Sequence, residues 1–137
     1  MSMHDIRVGF TGTREGMSQA QKDTLYTRLF ELRNSVGIES FHHGDCTGSD
    51  EEAADIAQEL GIDTVAHPPL AVKFRAYHRS TIIRTPKPFM VRNHDIVLEC
   101  RYVFAAPRTD EEEVRSGTWA TYRFAKACGT DVEVLKR

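Results

Sequence analysis

Three short segments of this sequence combine glycine with hydroxyl-bearing residues in a way that suits phosphate binding. Residues 9–14 read Gly-Phe-Thr-Gly-Thr-Arg, residues 44–50 contain two glycines beside Ser49, and residues 107–118 end in Ser-Gly-Thr. Glycine lets the backbone approach an anion closely, and Arg14 can bind a phosphate with two parallel hydrogen bonds. Each segment taken alone is more simply a tight turn. The prediction of a binding site therefore depends on all three segments meeting at one place.

A fourth polar segment, the pair Arg92 and Asn93, can add hydrogen bonds to a sugar or base, although a helix-surface position is an equal alternative for the arginine.

The sequence lacks G-x-x-x-x-G-K-[ST], and none of its predicted strands is followed by G-x-G-x-x-G, so a Walker A loop and the standard dinucleotide fingerprint are excluded. The expected ligand-binding residues are Gly12, Thr13, Arg14, Gly44, Asp45, Gly48, Ser49, Asp50, Arg92, Asn93, Ser116, Gly117 and Thr118.

The elements that must position these residues alternate regularly between strand and helix. Short β-branched runs predict strands at 6–10, 38–42, 63–66, 102–106 and 132–135, and helical periodicity predicts helices at 18–34, 53–60, 90–98 and 118–128. Ser18 and Gln21 have the spacing of a capping box at the first helix. This order predicts one Rossmann-like domain over residues 1–137, a three-layer α/β/α fold with a mainly parallel sheet of about five strands. The glycine-rich segments then share the carboxyl edge of the sheet, where ligands bind.

Residues 67–89 form a long, proline-punctuated and basic stretch that we expect to be a lid or a wall of the site. Phe74 or Tyr77 within it is the expected aromatic contact with the ligand. Its basic residues also leave single-stranded DNA handling open as an alternative, although the net charge of −2 gives no general sign of nucleic-acid binding. Those basic residues are Lys73, Arg75, Arg79, Arg84 and Lys87.

The remaining reactive residues favour a cytoplasmic protein without a metal or cofactor. Three widely spaced cysteines argue against a disulfide framework, and the longest apolar run is too short to span a bilayer. His42, His43, Asp45 and Cys46 lie close in sequence, but adjacent histidines on a strand point to opposite faces. Cys46 at a helix start is a possible nucleophile with a lowered pKa, but no base is identified for it.

Taken in order, these motifs resemble the SLOG superfamily, which includes the DNA-processing protein Smf/DprA and the LOG nucleoside-monophosphate phosphoribohydrolases. The resemblance covers nearly the whole chain and is closest to small stand-alone bacterial and phage members. It implies a Rossmann-like sheet that binds a nucleotide or nucleotide-derived molecule, commonly as a homodimer. The matching motifs are the segment 9–14, His43-Gly44 with Gly48-Ser49-Asp50, Arg92-Asn93, and Ser116-Gly117-Thr118.

The same resemblance leaves catalysis open. The LOG enzymes have a glutamate in their last motif that acts with an upstream arginine, and this chain has Thr121 at the glutamate position and Arg92 at the arginine position. A hydroxyl cannot replace a carboxylate in that role. We therefore expect a binding, sensing or sequestering protein. The alternative is a nucleoside-monophosphate N-glycosidase that uses Arg92 with a relocated carboxylate, for which Asp50 is the first candidate, with Asp45, Glu15 and residues 111–113 behind it.

Asp50 also has two non-catalytic interpretations. It can cap the second helix by accepting backbone N–H bonds, which is the commoner use of such a residue, or it can accept ribose hydroxyls. The sequence leaves this choice open.

Overall fold

The computed structural model describes residues 5–137, so residues 1–4 of the predicted domain lie outside the described range. The described strands are β1 (Ile6–Gly12), β2 (Ile38–His43), β3 (Thr64–Ala66), β4 (Ile82–Ile83), β5 (Tyr102–Ala106) and β6 (Asp131–Val134). The helices are α1 (Gln19–Ser35), α2 (Ser49–Glu59), α3 (Phe89–Glu99) and α4 (Gly117–Cys128), with a short 3-10 helix at Val72–Phe74. None of the helices within residues 5–137 is long and apolar enough to cross a membrane.

The strands form one parallel sheet in the order β4-β3-β2-β1-β5-β6. The chain first moves outward from β1 to β4 and then crosses back to the other side of β1, where β5 pairs with it. This reversal between β1 and β5 is the topological switch point at which open α/β sheets bind ligands. The predicted Rossmann-like fold is confirmed, with six strands in the described part of the chain rather than about five.

The sheet is covered on both faces by helices. On one face Leu25 of α1 and Ala53 of α2 belong to a fully buried cluster that includes Phe41 of the sheet. On the other face Ile96 of α3 packs in a second cluster with Val103 of β5. These two apolar layers give the predicted three-layer arrangement, and they hold the carboxyl ends of the strands in fixed positions.

The predicted capping box begins α1 and also ties this helix to the switch point. Ser18 Oγ accepts a hydrogen bond from the Gln21 backbone N–H at 3.1 Å, and Gln21 Oε1 accepts one from the Ser18 N–H at 2.9 Å. The same buried Gln21 donates through Nε2 to the carbonyl oxygens of Pro107 and Leu135, at 3.0 and 2.9 Å. One side chain therefore joins the start of α1 to the chain leaving β5 and β6.

Candidate functional site

A cavity of about 390 Å³ lies at the carboxyl ends of β1 and β5. Its lining comes from the end of β1, the loop after β2, the first turns of α3, and the loop that joins β5 to α4. The volume is in the range of cavities that hold small-molecule ligands. The cavity therefore occupies the place that the strand order marks for a binding site.

Most of the residues predicted from sequence to bind ligand line this cavity. Asp45, Gly48 and Ser49 lie outside the lining and support it instead. Ser49 Oγ donates a 2.5 Å hydrogen bond to the Thr13 carbonyl oxygen, and Gly48, at φ 92°, packs so closely on the Arg14 backbone that a Cβ would collide with it. The predicted residues in the lining are Gly12, Thr13, Arg14, Gly44, Asp50, Arg92, Asn93, Ser116, Gly117 and Thr118.

Asp45 anchors the segment 67–89 to the body of the protein. Its carboxylate accepts a hydrogen bond from the His78 backbone N–H at 2.9 Å and forms a 3.3 Å ion pair with Arg75 Nε. Its carbonyl oxygen accepts from the Ala76 N–H at 2.7 Å. Because Asp45 is 1% exposed, these bonds are shielded from water. Of residues 67–89, Phe89 alone lines the cavity, so the anchored part of the segment supports the site from outside rather than forming its wall.

The same segment supports an arginine of the site through aromatic rings. The Arg14 guanidinium lies 4.0 Å from the ring centre of Phe74 and 5.4 Å from that of Phe89. Phe89 lines the cavity, whereas neither Phe74 nor Tyr77 does. Tyr77 is exposed and stacks with Arg75 at 4.4 Å. Of the aromatic residues in this segment, Phe89, which starts α3, is therefore the one that lines the cavity.

Positive charge predominates in the lining. In the described part of the chain, the acidic residues of the cavity are Asp50 and Glu113, and Glu113 forms a 2.8 Å ion pair with Arg108 that lowers the pKa of the Glu113 carboxyl. The first backbone N–H groups of α4, at Gly117 and Thr118, lack intrahelical acceptors and add partial positive charge. The arginines of the lining are Arg14, Arg92, Arg108 and Arg115.

Sequence reasoning missed Arg108, Arg115, Met90 and Phe89 as lining residues. A run of charged residues such as the loop after β5 is typical of a solvated surface. From the sequence we considered its acidic residues, but not its arginines, as groups that could fold back into the site. A signal for Arg108 and Arg115 was nevertheless present, because both lie within ten residues of the predicted Ser-Gly-Thr helix start. Ser116 itself caps α4, since its Oγ accepts a hydrogen bond from the Trp119 N–H at 3.2 Å.

Arg92 is buried, with 6% exposure, and its donors are directed at the protein. Nη1 donates to the carbonyl oxygens of Gly44 and His67, the latter at 3.2 Å, and Nε donates to Asn93 Oδ1. These bonds join α3 to the loops that follow β2 and β3. Arg92 thus holds the floor of the cavity together and gives it charge, and the helix-surface alternative for it is wrong.

Asp50 faces the same floor. It is the second residue of α2, whose N-cap is Gly48, and its Oδ2 accepts a 3.3 Å hydrogen bond from the Cys46 N–H rather than from an amide of the helix. Burial raises the pKa of Asp50 from its ordinary 3.8 to about 6, against the opposing attraction of Arg92. A carboxyl group in this range can both hold and release a proton near neutral pH.

Two other candidates are not suited to chemistry in this cavity. Burial and the nearby Asp50 raise the pKa of the Cys46 thiol, so the expected lowered pKa is wrong and the thiol is not activated as a nucleophile. Thr121, at the position of the family glutamate, is buried in α4 and donates through Oγ1 to the Gly117 carbonyl oxygen at 2.9 Å. Its hydroxyl is therefore used within its own helix.

The histidines of β2 separate as the alternation of a strand requires. His42 contacts His67 through a 2.9 Å hydrogen bond between Nδ1 and Nε2. His43 instead contacts Ser80 Oγ at 2.7 Å, on the other face of the sheet. The four neighbours in sequence that suggested a metal site therefore do not form one together.

None of the protein-family models matches this chain, and none of the curated protein sequences does. Solved structures do match. DprA of Streptococcus pneumoniae superposes with a TM-score of 0.70 at 21% identity, over 95% of this chain and 50% of that chain. The molybdenum cofactor binding protein of Rippkaea orientalis superposes with a TM-score of 0.73 at 20% identity, over 97% of this chain and 77% of its own. This chain therefore shares the Rossmann-like fold of these proteins.

A second DprA, from Helicobacter pylori, gives a TM-score of 0.69 at 19% identity and covers 96% of this chain. The chain spans 50% and 65% of the lengths of the two DprA chains, so the shared fold makes up only part of each of them. The H. pylori protein is described as binding single-stranded DNA, and the Rippkaea protein as binding the molybdenum cofactor. The same fold thus occurs in proteins that are described as binding different ligands.

Proposed function

We propose that this chain is a single SLOG domain that binds a nucleotide or nucleotide-derived molecule at the carboxyl edge of its sheet, as a sensor or sequestering protein. The observation that carries this proposal is the cavity of about 390 Å³ at the switch point, lined by four arginines and the N-terminus of α4. The Rippkaea relative, described as binding a small cofactor, supports a small ligand in this fold.

The arrangement suggests how such a ligand is held. Helix N-termini and arginine forks are the groups that proteins use for phosphate, so the phosphate belongs beside Gly117, Thr118 and Arg115. A base would then stack on Phe89, and Asn93 beside it offers both a donor and an acceptor. Arg14 is held by Phe74 in a fixed orientation, which reduces the entropy lost when it binds an anion.

The proposal is tested with a panel of nucleoside mono-, di- and cyclic phosphates, following melting temperature and release of free base in the same samples. A ligand at a hundred times its Kd adds about 2.7 kcal/mol to the stability of the folded state. We expect stabilisation of the wild type by at least one member of the panel, without turnover.

Two arginine variants give this test its control. Arg115→Ala removes an exposed guanidinium from the lining. We expect the apparent affinity for the ligand, measured from the rise in melting temperature, to fall at least tenfold. Arg101→Ala removes an exposed arginine that lies outside the lining, between α3 and β5, and it should bind as the wild type does. Absence of stabilisation by every compound, or equal losses in the two variants, would overturn the proposal.

A second candidate function is hydrolysis of the N-glycosidic bond of a nucleoside monophosphate, and the specific observation in its favour is Asp50. In that reaction water adds to the anomeric carbon while the base leaves and takes up a proton. A buried carboxyl group with a pKa of about 6, beside the cationic Arg92, has the proton affinity for that transfer. Asp50 would then replace the glutamate that Thr121 has displaced.

This candidate predicts that free base appears and that Asp50→Asn abolishes its release while ligand still raises the melting temperature. Glu113→Gln, at the other carboxylate of the lining, serves as the matched control and should keep the release. Stabilisation of the wild type with no base released rejects catalysis and leaves the binding proposal standing.

Single-stranded DNA handling receives less support from the contacts of the basic segment. Arg75 pairs with Asp45, Arg84 pairs with Glu99 at 2.9 Å, and Lys87 pairs with Asp95 at 2.7 Å. These ion pairs neutralise most of the positive charge that DNA phosphates would need.

A further inference from the structure

Two buried histidines, one in β2 and one directly after β3, meet behind the proposed ligand cavity. His42, the fifth residue of β2, is 1% exposed, and His67, the first residue after β3, is 3% exposed. Their rings touch through His42 Nδ1 and His67 Nε2 at 2.9 Å, and the other ring nitrogen of His42 contacts Ser40 Oγ at 2.9 Å. The Ser40 contact leaves the Nδ1 lone pair of His42 available when Nε2 carries the proton.

A carboxylate completes this cluster. Glu99, the last residue of α3, places an oxygen so that the ligand atoms of His42, His67 and Glu99 all lie within 4.8 Å of one another. His67 and Glu99 also line a second cavity of about 200 Å³, which gives an ion a route in and room for a water ligand. Two neutral imidazoles, a carboxylate and an open position form a ligand set typical of zinc and similar ions.

We propose that His42, His67 and Glu99 bind a divalent first-row transition metal ion, with zinc as the best match. The site goes beyond the proposed ligand-binding function and lies on the opposite side of Arg92, which lines both cavities. It was not readable from the sequence because its ligands come from three separate elements, and because the neighbouring His43 points away from it.

Between the two imidazole rings the geometry requires only a small movement. Tetrahedral zinc with Zn–N bonds of about 2.0–2.1 Å separates two ligand nitrogens by about 3.3 Å, so the 2.9 Å contact between the rings opens by about 0.4 Å. Both rings are buried, and burial favours the neutral imidazole that a metal ion requires. Metal binding then needs no proton loss, only a shift of the His67 proton to its other nitrogen.

Arg84 competes with the ion. Its Nη2 lies 2.9 Å from Glu99 Oε1, and Glu99 must turn from this partner toward the histidines to bind a metal. The Arg84 side chain is 44% exposed and can move into solvent. The nearby Lys87 is already paired with Asp95, so Arg84 is the cation that a metal must displace. Removing Arg84 should therefore strengthen metal binding, which no merely structural role of the cluster predicts.

The test uses the full chain, stripped of metal with a chelator and then titrated with ZnCl₂ by calorimetry and with CoCl₂ by visible absorption. We expect one ion per chain, the d–d bands of four-coordinate cobalt, and a rise in melting temperature with zinc. His67→Ala and Glu99→Gln should each weaken binding by at least about tenfold, because even partners outside the coordination shell contribute 10–100-fold. Arg84→Ala should bind zinc more tightly than the wild type.

His94→Ala is the matched control, because His94 stacks on Phe124 at 3.7 Å and is outside the cluster. It should keep wild-type affinity and the cobalt spectrum. No one-to-one binding by the wild type, equal binding by His67→Ala, or weaker binding by Arg84→Ala would each overturn the proposal. The gain expected for Arg84→Ala cannot arise from misfolding, so the test holds even where a histidine variant fails to fold.

Discussion

Replacing Asp50 with asparagine should stabilise this protein at neutral pH. The carboxyl group is buried beneath the ligand cavity, and its pKa is raised from 3.8 to about 6. Folding therefore favours its protonated form, and the ionised form at pH 7 destabilises the native state. Asparagine has nearly the same shape and no charge, so Asp50→Asn removes this penalty.

The size of the effect follows from the shift. About two pKa units correspond to about 3 kcal/mol of unfolding free energy. The native state binds the proton more tightly than the unfolded state, so this stability is present below pH 3.8 and is lost as the pH rises to about 6. The advantage of Asp50→Asn over the wild type should therefore grow from about 1 kcal/mol at pH 4.5 to about 3 kcal/mol at pH 7.5.

Urea unfolding of both proteins at these two pH values measures the difference directly. Contributions from the histidines cancel in it, because both proteins contain them. Asp131→Asn, which removes a carboxylate at an exposed position of β6, is the control for the change in net charge. A variant less stable than the wild type at pH 7.5, or an advantage that stays constant with pH, would refute the raised pKa.

Two other perturbations should separate packing from titration. Gly44→Ala places a Cβ about 2.7 Å from the Arg92 Cζ atom and should cost about 1–3 kcal/mol in urea unfolding, whereas Gly117→Ala, with open space around it, should cost nothing. Equal costs would contradict the close packing inferred for the cavity floor. Because the pKa of His67, like that of His42, is lowered by burial, the unfolding free energy that the neutral rings contribute is fully present above pH 6.5 and is lost as the pH falls toward 4. At pH 4.5, His67→Gln should avoid about 3 kcal/mol of that loss. If the urea midpoint of the wild type is the same at pH 7.5 and pH 4.5, the rings are not held neutral by burial.

The order and type of the main elements could be predicted because each carries a local signal. The apolar run at Ile6 indicates β1, and the Ser18–Gln21 pair indicates the start of α1. Strand β4 carries no such signal, since Ile82 and Ile83 are two exposed residues in a stretch without periodicity. Its pairing with β3 depends on tertiary contacts that anchor the preceding chain, and those contacts have no pattern in the sequence.

The lining of the cavity was predictable for a different reason. In a parallel sheet all strand ends meet at one edge, so residues that follow different strands become neighbours whatever their distance in sequence. The same rule cannot distinguish Asp45 from Asp50, because both follow β2. The backbone makes that distinction: Asp45 has a positive φ of 52° and turns toward residues 75–78, while Asp50 lies on the first turn of α2 and faces Arg92.

The balance of charge in the cavity narrows the proposed ligand further. Arg108 is paired with Glu113, and Arg92 faces the carboxyl group of Asp50. Arg14, which lies over Phe74, and the exposed Arg115 are the guanidinium groups left to meet an anion. Two such groups match the charge of one phosphate monoester, and a triphosphate would bring more negative charge than they can neutralise. A net charge of −2 for the whole chain therefore conceals a local excess of positive charge that suits a nucleoside monophosphate better than a polyphosphate or a DNA strand.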